Sequence, residues 1–232
     1  MRNISLDIPA KQITVLFGPA GGGKSSLLRV LNRLNDLADV ETQEGQVYLD
    51  EIDILDPTLD VIELRRKVGM VFARPVVLPF SIRENLTYGL EVGGEKDQAK
   101  LSRAVEYSLK KAALWEEVKD RLDEPAIALS GGQQQRLCLA RVLALEPEVI
   151  LLDEPTSGLD PISTGKVEES LQDLKKDYTI ILVPHSVQQA ARTADIAAFL
   201  LQGELVEVAP GETMFTNPVD QRTQDYIQGR FG

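Results

Sequence analysis

The sequence has a single cysteine and no long hydrophobic run. Because Cys138 has no second cysteine to pair with, an intrachain disulfide and a cysteine-based zinc site are both excluded. We interpret Cys138 as a small buried side chain on a helix, and a reducing, cytoplasmic setting is consistent with it. No apolar run approaches the ~20 residues that a membrane-spanning helix needs. A chain of this kind that works at a membrane would need a partner to hold it there.

Positive charge is also scarce. The chain has 25 Lys and Arg against 36 Asp and Glu, a net charge of −11, and a pI near 4.7. Nucleic-acid binding and adsorption to anionic lipid both depend on clustered basic residues, so this balance disfavours both. With 232 residues, of which 43% are hydrophobic, the chain is expected to fold as one domain with a sizeable core.

The hydrophobic pattern predicts an α/β fold. Apolar runs rich in β-branched residues predict strands that are buried on both faces, as in a parallel sheet. They are Ile13–Phe17, Val68–Phe72, Val149–Leu152 and Thr179–Val183. Helical patterns lie between them, at Lys24–Leu34, Gln133–Leu145 and Ile162–Lys176. The predicted core includes Val15, Leu16, Val71, Ile150, Leu151, Ile181 and Leu182.

Two segments depart from this alternation. Ser81–Leu114 is a helical stretch with a break at Gly93–Gly94, which predicts an inserted helical subdomain between roughly Pro75 and Pro147. Two strand-like runs, 196–200 and 204–208, surround Gln202–Gly203, which predicts an antiparallel hairpin at the edge of the sheet.

A glycine-rich loop follows the first predicted strand. It reads G-P-A-G-G-G-K-S from Gly18 to Ser25 and fits the phosphate-binding P-loop pattern. Glycines let backbone N–H groups approach phosphate closely, and the positive end of the next helix faces the same anion. Lys24 can reach the β- and γ-phosphates, and the hydroxyl of Ser25 can bind Mg²⁺. The predicted nucleotide ligands are Gly18, Pro19, Ala20, Gly21, Gly22, Gly23, Lys24, Ser25 and Ser26.

Two adjacent acids end the strand at 149–152. Asp153 suits a Mg²⁺ ligand, and Glu154 suits a base that orients the attacking water. A solvated acidic turn would look the same in isolation. The P-loop upstream favours the functional interpretation.

Two further features each allow two interpretations. Ser130 and Gln133 have the spacing of a capping box, which only starts a helix. Gly131 and Gly132 weaken a first helical turn, so they favour close backbone approach to an anion instead. His185, the only histidine, is either a merely exposed side chain or one that reaches the γ-phosphate and the attacking water.

Together these motifs resemble those of the ATP-binding-cassette (ABC) ATPases. Residues 129–133 resemble the family's LSGGQ signature, 149–154 its Walker B strand with the catalytic glutamate, 157–160 its D-loop, and His185 its switch histidine. The resemblance implies a P-loop cassette of parallel core sheet, flanking helices, antiparallel edge strands and a helical subdomain. It implies catalysis by Glu154, His185 and Lys24, with Mg²⁺ held by Ser25 and Asp153.

The family also implies how such subunits assemble. Two cassettes pair head to tail around ATP, so that Ser130, Gly131, Gly132, Gln133 and Asp160 of one complete the nucleotide site of the other. Membrane-spanning permease subunits would contact the segment from Arg74 to about Leu90. This places the chain at the cytoplasmic face of a bacterial membrane, bound only through its partners. The whole chain, 1–232, is then one cassette, with a catalytic core of 1–74 and 148–232 around a helical subdomain of 75–147.

Within the family the tail is similar to that of bacterial phosphate-import ATPases. The similarity lies in 188–192, 203–207, 215–218 and, most specifically, 222–232. It implies an importer of inorganic phosphate, with another oxyanion as the alternative solute.

Three positions depart from the family pattern. Ala73 stands where the family normally has a glutamine that contacts Mg²⁺ and water. Only 17 residues precede Gly18, where the family usually has a strand with an aromatic residue. Pro184 stands before His185, where the family usually has threonine. The first two motivate an alternative, a regulatory cassette subunit that binds ATP and hydrolyses it weakly. A soluble cassette protein acting on nucleic acid is a third hypothesis, and the acidic balance disfavours it.

Overall fold

A mixed six-stranded sheet organises the chain in the computed structural model, which describes residues 1–38 and 42–230. The strands are β1 (Ile13–Phe17), β2 (Tyr48–Leu49), β3 (Ile52–Asp53), β4 (Val68–Val71), β5 (Val149–Asp153), β6 (Thr179–Val183), β7 (Ile196–Leu201) and β8 (Glu204–Pro210). The large sheet has the order β4-β5-β6-β1-β7-β8. All its pairs are parallel except β7–β8, and β2–β3 form a separate antiparallel pair. The predicted parallel sheet and edge hairpin are confirmed.

Helices cover both faces of this sheet. They are α1 (Lys24–Leu31), α2 (Val61–Lys67), α3 (Ile82–Val92), α4 (Gln98–Lys111), α5 (Trp115–Val118), α6 (Gly131–Leu143), α7 (Pro161–Leu174), α8 (Val187–Thr193), α9 (Gly211–Thr216) and α10 (Gln221–Ile227). Short 3₁₀ helices lie at Leu34–Leu37, after α1, and at Ala126–Ala128, after α5. In the described part of the chain, no helix is both long and apolar enough to cross a bilayer.

The core alternates between the two faces of the sheet along each strand. Ile13, Val15 and Phe17 pack into one hydrophobic cluster, and Leu16 packs into the other. This period of two follows from the pleat, because successive side chains in a strand point to opposite faces. Every predicted core residue is buried, with at most 2% of its surface exposed. Helices on both faces explain why these strands have no polar face.

Helix α1 ends earlier than its hydrophobic pattern predicts. It stops at Leu31 rather than Leu34, because Arg33 has a φ of 56° and cannot continue a right-handed helix. Arg65 of α2 donates hydrogen bonds to the carbonyl oxygens of Asn32 and Arg33, at 3.2 and 2.9 Å, and so satisfies the helix end. A tertiary contact therefore decides this boundary.

The segment between β4 and β5 is helical. Helices α3, α4 and α6 pack on one another, with the predicted break between α3 and α4 at Gly93–Gly94. Cys138 is 5% exposed on α6 and donates to the carbonyl oxygen of Val76 at 3.7 Å. Burial raises the pKa of its thiol, which is consistent with a structural role.

Candidate nucleotide-binding site

The parallel strands bring the predicted site residues to one edge of the sheet. Because β4, β5, β6 and β1 are neighbours and run in the same direction, the segments after their carboxyl ends lie side by side. The P-loop follows β1, Asp153 ends β5, and His185 follows β6. Ligands bind at this edge in open parallel sheets.

Glycine at the start of the loop follows from close packing. Gly18 has a φ of 142°, and a Cβ atom there would overlap the carbonyl oxygen of Leu200 on β7. Only glycine fits at this position, because an L side chain has neither the space nor an easily reached conformation. The backbone of the loop is thereby held directly against the sheet.

Lys24 closes the loop from the first turn of α1. Its Nζ donates to the carbonyl oxygens of Gly18 and Pro19, at 2.9 and 2.8 Å. Burial lowers the pKa of Lys24, while the nearby carboxylates of Glu154 and Asp153 oppose that shift. The ammonium is therefore partly desolvated at the mouth of the loop, where it would attract phosphate strongly.

Ser25 and Asp153 meet across the sheet edge. The Ser25 hydroxyl donates to Oδ1 of Asp153 at 2.8 Å, although 128 residues separate them. Asp153 is 8% exposed and lies opposite Val183 in the β5–β6 register. A hydroxyl and a carboxylate are hard oxygen donors, and Mg²⁺ in nucleotide sites uses one or two protein oxygens together with phosphate oxygens. The donor set therefore fits Mg²⁺.

Glu154 lies in an unusual backbone conformation just beyond β5. Its φ is 47°, which costs about 1–3 kcal/mol for a non-glycine residue. Its N–H donates to the carbonyl oxygen of Val183 at 2.9 Å, and its own carbonyl accepts from Ser157 at 3.0 Å. These bonds hold the turn, and they leave the carboxylate of Glu154 without a hydrogen-bonding partner among the residues that the structure describes.

His185 is exposed, and a buried amide holds its backbone. Its N–H donates to Oε1 of Gln189 at 2.9 Å, and the Gln189 amide also bonds the Thr156 hydroxyl, at 3.0 Å. Gln189 and Thr156 are 2% and 4% exposed. Gln189 therefore links the loop after β6 to the loop after β5. From the sequence alone, neither residue is assigned a role in the site. The one local signal was for Gln189, which lies four positions after His185.

The capping box at Ser130 is confirmed. The Ser130 hydroxyl accepts from the N–H of Gln133 at 3.3 Å, and Oε1 of Gln133 accepts from the N–H of Ser130 at 3.0 Å. Ser130 and Gly131 are exposed at the start of α6. Outside α6 itself, Gln133 contacts Glu117 of α5, and Gly132 lies against Ser163 of α7. Within 1–38 and 42–230, no hydrogen bond joins residues 130–133 to the P-loop of the same chain.

Asp160 caps α7 beside this segment. Its carboxylate accepts from the N–H groups of Ile162 and Ser163, both at 3.0 Å, and from the Ser163 hydroxyl at 2.6 Å. These bonds, chiefly that of the Ser163 hydroxyl, lower the pKa of Asp160. A Cβ on Gly132 would lie 2.5 Å from Oγ of Ser163, so a glycine lets α6 and α7 approach here.

Ala73 lies at the same edge, beyond β4. Because Val71 is opposite Leu152 in a parallel pair, Ala73 and Glu154 each come two residues after this pairing at the same end of the sheet. Its methyl group is half-buried and offers no ligand. The adjoining carbonyl of Phe72 accepts from Nε2 of Gln135, on α6, at 2.8 Å.

Comparison with known proteins identifies the class of this chain. The family model for ABC transporters matches residues 1–157. The chain belongs to the ABC transporter family, and it is an ABC ATPase domain.

Two solved structures are similar over most of their length. One is the ATP-binding cassette MJ0796, a dimer bound to ADP and phosphate in a post-hydrolysis state, with 30% identity over 90% of each chain and a TM-score of 0.76. The other is CbiO1 from Clostridium perfringens, part of the CbiONQ ABC transporter complex, with 25% identity over 98% of this chain and 88% of that chain and a TM-score of 0.80.

Proposed function

We propose that this chain is the ATP-hydrolysing subunit of an ABC importer. The observation that carries the proposal is the 2.8 Å contact of Ser25 with Asp153, the residue that directly precedes Glu154. A metal-binding pair and a candidate base then lie next to a phosphate-binding loop. The catalytic core is 1–74 with 148–232, and the helical subdomain is 75–147.

The residues at the sheet edge have distinct proposed roles. Ser25 and Asp153 would hold Mg²⁺, which would supply positive charge beside the phosphates of ATP. Lys24 turns from the loop carbonyls to the phosphates. Glu154 accepts the proton of the attacking water as a general base. His185 contacts the γ-phosphate. The nucleotide lies on Gly18, Pro19, Ala20, Gly21, Gly22, Gly23, Lys24, Ser25 and Ser26.

A second copy of the chain completes each site. The residues that would bind its ATP are Ser130, Gly131, Gly132, Gln133 and Asp160. Exposure of Ser130 and Gly131 at a helix start supports this role, because an uncovered N-terminus attracts anions. MJ0796 forms a dimer, and this supports a head-to-tail homodimer here.

Permease subunits are the proposed partners at the membrane. Phe72, Val76, Phe80 and Tyr88 expose between 37% and 61% of their surfaces around the segment 74–90. The rings of Phe80 and Tyr88 lie 5.5 Å apart, and a group of exposed apolar side chains within one short segment is typical of an interaction surface. CbiO1 is part of a transporter complex, which is consistent with such partners. The chain would then lie at the cytoplasmic face of the bacterial membrane without contacting nucleic acid.

Inorganic phosphate is the proposed solute, and it depends on the C-terminal sequence alone. Phe231 and Gly232 of that stretch lie outside the described residues. Uptake of radiolabelled phosphate into vesicles that contain the cognate permease subunits tests this. Uptake of another oxyanion in place of phosphate would contradict it.

Hydrolysis itself is tested by steady-state ATPase assays with Mg²⁺. Glu154→Gln should lower kcat by about 100-fold or more while ATP binding is retained, because the amide cannot accept the proton. Glu148→Gln is the matched control, since Glu148 is an exposed acid that pairs with Lys67 near the opposite end of β5. Equal turnover by the wild type and Glu154→Gln would refute the proposed base.

A regulatory cassette with weak hydrolysis is the second candidate, and Ala73 favours it. If the wild type binds ATP without turning it over, and Ala73→Gln restores turnover, this candidate replaces the first. If Ala73→Gln leaves an active wild type unchanged, the site does not need a side-chain ligand at this position.

A further inference from the structure

The carboxylate of Glu117 joins three helices. From α5 it forms a bidentate pair with Arg136 of α6, with Nη1–Oε1 at 2.9 Å and Nη2–Oε2 at 3.0 Å. Nζ of Lys166, on α7, lies 2.6 Å from Oε1. These partners, chiefly Arg136, lower the pKa of Glu117 to about 2. The group is therefore a carboxylate that only accepts hydrogen bonds.

On one side this carboxylate orients the start of α6. Nε2 of Gln133 donates to Oε2 of Glu117 at 3.0 Å. Since the carboxylate accepts only, the amide must present its Oε1 in the other direction, where it accepts from the N–H of Ser130. Glu117 thus sets the orientation of the amide that closes the capping box.

On the other side it holds the start of α7. Lys166 lies three residues after Ser163, so both side chains lie on the same face of this helix. Ser163 bonds the capping carboxylate of Asp160 and lies against Gly132. The first two turns of α6 and α7 are therefore joined at two points, by the packing of Gly132 on Ser163 and by the ion pairs of Glu117 with Arg136 and Lys166.

We propose that Glu117 is a positioning residue for ATP hydrolysis, which holds Ser130 and Asp160 in a fixed relative arrangement. This rests on the proposed function, in which both segments complete the ATP site of the second subunit. Glu117 touches no nucleotide itself and acts through Gln133 and Lys166. Its effect is expected in trans, on the ATP bound by the partner copy.

A purely structural role predicts different behaviour. Arg136 is 3% exposed, and loss of its partner would destabilise the subunit that carries the change. ATP binding by the isolated chain would then decrease together with turnover. A positioning role leaves binding to the subunit's own P-loop intact and reduces turnover only in sites that use the altered α6.

Kinetics of Glu117→Gln make the first comparison. Glutamine retains the shape but presents an NH₂ group that cannot accept from Gln133 or Lys166. We expect kcat to decrease by about 10- to 100-fold, with a smaller change in the KM for ATP. Glu116→Gln is the matched control, because Glu116 is 76% exposed on the same helix and pairs with Lys119. Lys166→Met should act in the same direction without leaving Arg136 unpaired.

Mixed dimers make the second comparison. When Glu117→Gln and Glu154→Gln subunits are mixed, about half of the dimers are heterodimers, and each has one site with an intact base and an intact α6 start. Trans action therefore predicts recovery to about a quarter of wild-type turnover, above that of either variant alone. Lys166→Met mixed with Glu154→Gln should recover similarly.

The outcomes separate the inference from the function on which it rests. If Glu154→Gln turns over ATP as fast as the wild type, both the proposed function and the proposed role of Glu117 are overturned. An active wild type with unchanged kcat in Glu117→Gln and Lys166→Met overturns the inference alone. Lost turnover without recovery in either mixture also overturns it, because the effect is then confined to the altered subunit.

Discussion

Gly132 is the position where a one-methyl change tests the packing of α6 on α7. Its Cβ would lie 2.5 Å from Oγ and 2.9 Å from Cβ of Ser163. The hydroxyl could rotate away only by giving up its 2.6 Å bond to Asp160, and Cβ of Ser163 cannot move without the backbone of α7. Gly131, one position earlier, has open space: outside its own helix backbone and chain neighbours, no described residue places an atom within 4 Å of its Cβ position.

The expected changes in unfolding free energy have opposite signs for alanine substitutions at the two glycines. Alanine is favoured over glycine in a helix by up to about 1 kcal/mol, so Gly131→Ala should be neutral or slightly stabilising. Gly132→Ala has the same helical gain, but overpacking costs about 1–3 kcal/mol. We expect a net loss of about 1–2 kcal/mol, which lowers Tm by several degrees in a chain of this size.

Urea unfolding of the nucleotide-free chain, followed by circular dichroism, measures both variants. Ser163→Gly removes both obstructing atoms, so Gly132→Ala should become neutral or stabilising in that background. If Gly132→Ala were as stable as Gly131→Ala in the wild-type background, the close approach of α6 and α7 would be refuted.

Two further predictions concern the buried amide of Gln189 and the partly buried carboxylate of Glu117. Gln189→Leu should lower the unfolding free energy by about 2–3 kcal/mol, because it removes the hydrogen bonds of Gln189 to the Thr156 hydroxyl and to the N–H of His185. Gln188→Leu, at an exposed position, is the control. An equal loss in both variants would contradict the role of Gln189. Glu117 should contribute stability that depends on pH. Its pKa in the folded chain is about 2, below the ordinary value of 4.5. The stabilisation by its charge is therefore complete above about pH 4.5 and is lost as the pH falls toward 2. The difference in unfolding free energy between the wild type and Glu117→Gln should therefore shrink between about pH 5 and 3. A difference that stays constant over this range would show that the charge of Glu117 is not its cause.

Much of the fold follows from local patterns in the sequence. Buried parallel strands are continuous apolar runs, and β1, β4, β5 and β6 lie at the predicted positions with ends shifted by at most one residue. Helix ends were predicted less well. The end of α1 depends on the conformation of Arg33 and on contacts from α2, which no local pattern contains.

The candidate site divides in the same way. The P-loop and the acid pair are contiguous motifs, so their chemistry can be derived from residue types and spacing. The contact of Ser25 with Asp153 joins residues 128 positions apart. The sequence predicts both as metal ligands, and the strand order explains how they meet.

The sequence by itself determined the strands of the large sheet, the phosphate loop, the acid pair at the end of β5 and the cap at Ser130, because each depends on neighbours within a few residues. Only the tertiary structure decided that Gln189 joins two loops and that Glu117 binds partners 16, 19 and 49 positions away. The sequence sets no spacing for side chains that meet across helices. Their contacts exist only once the sheet has brought α5, α6 and α7 together.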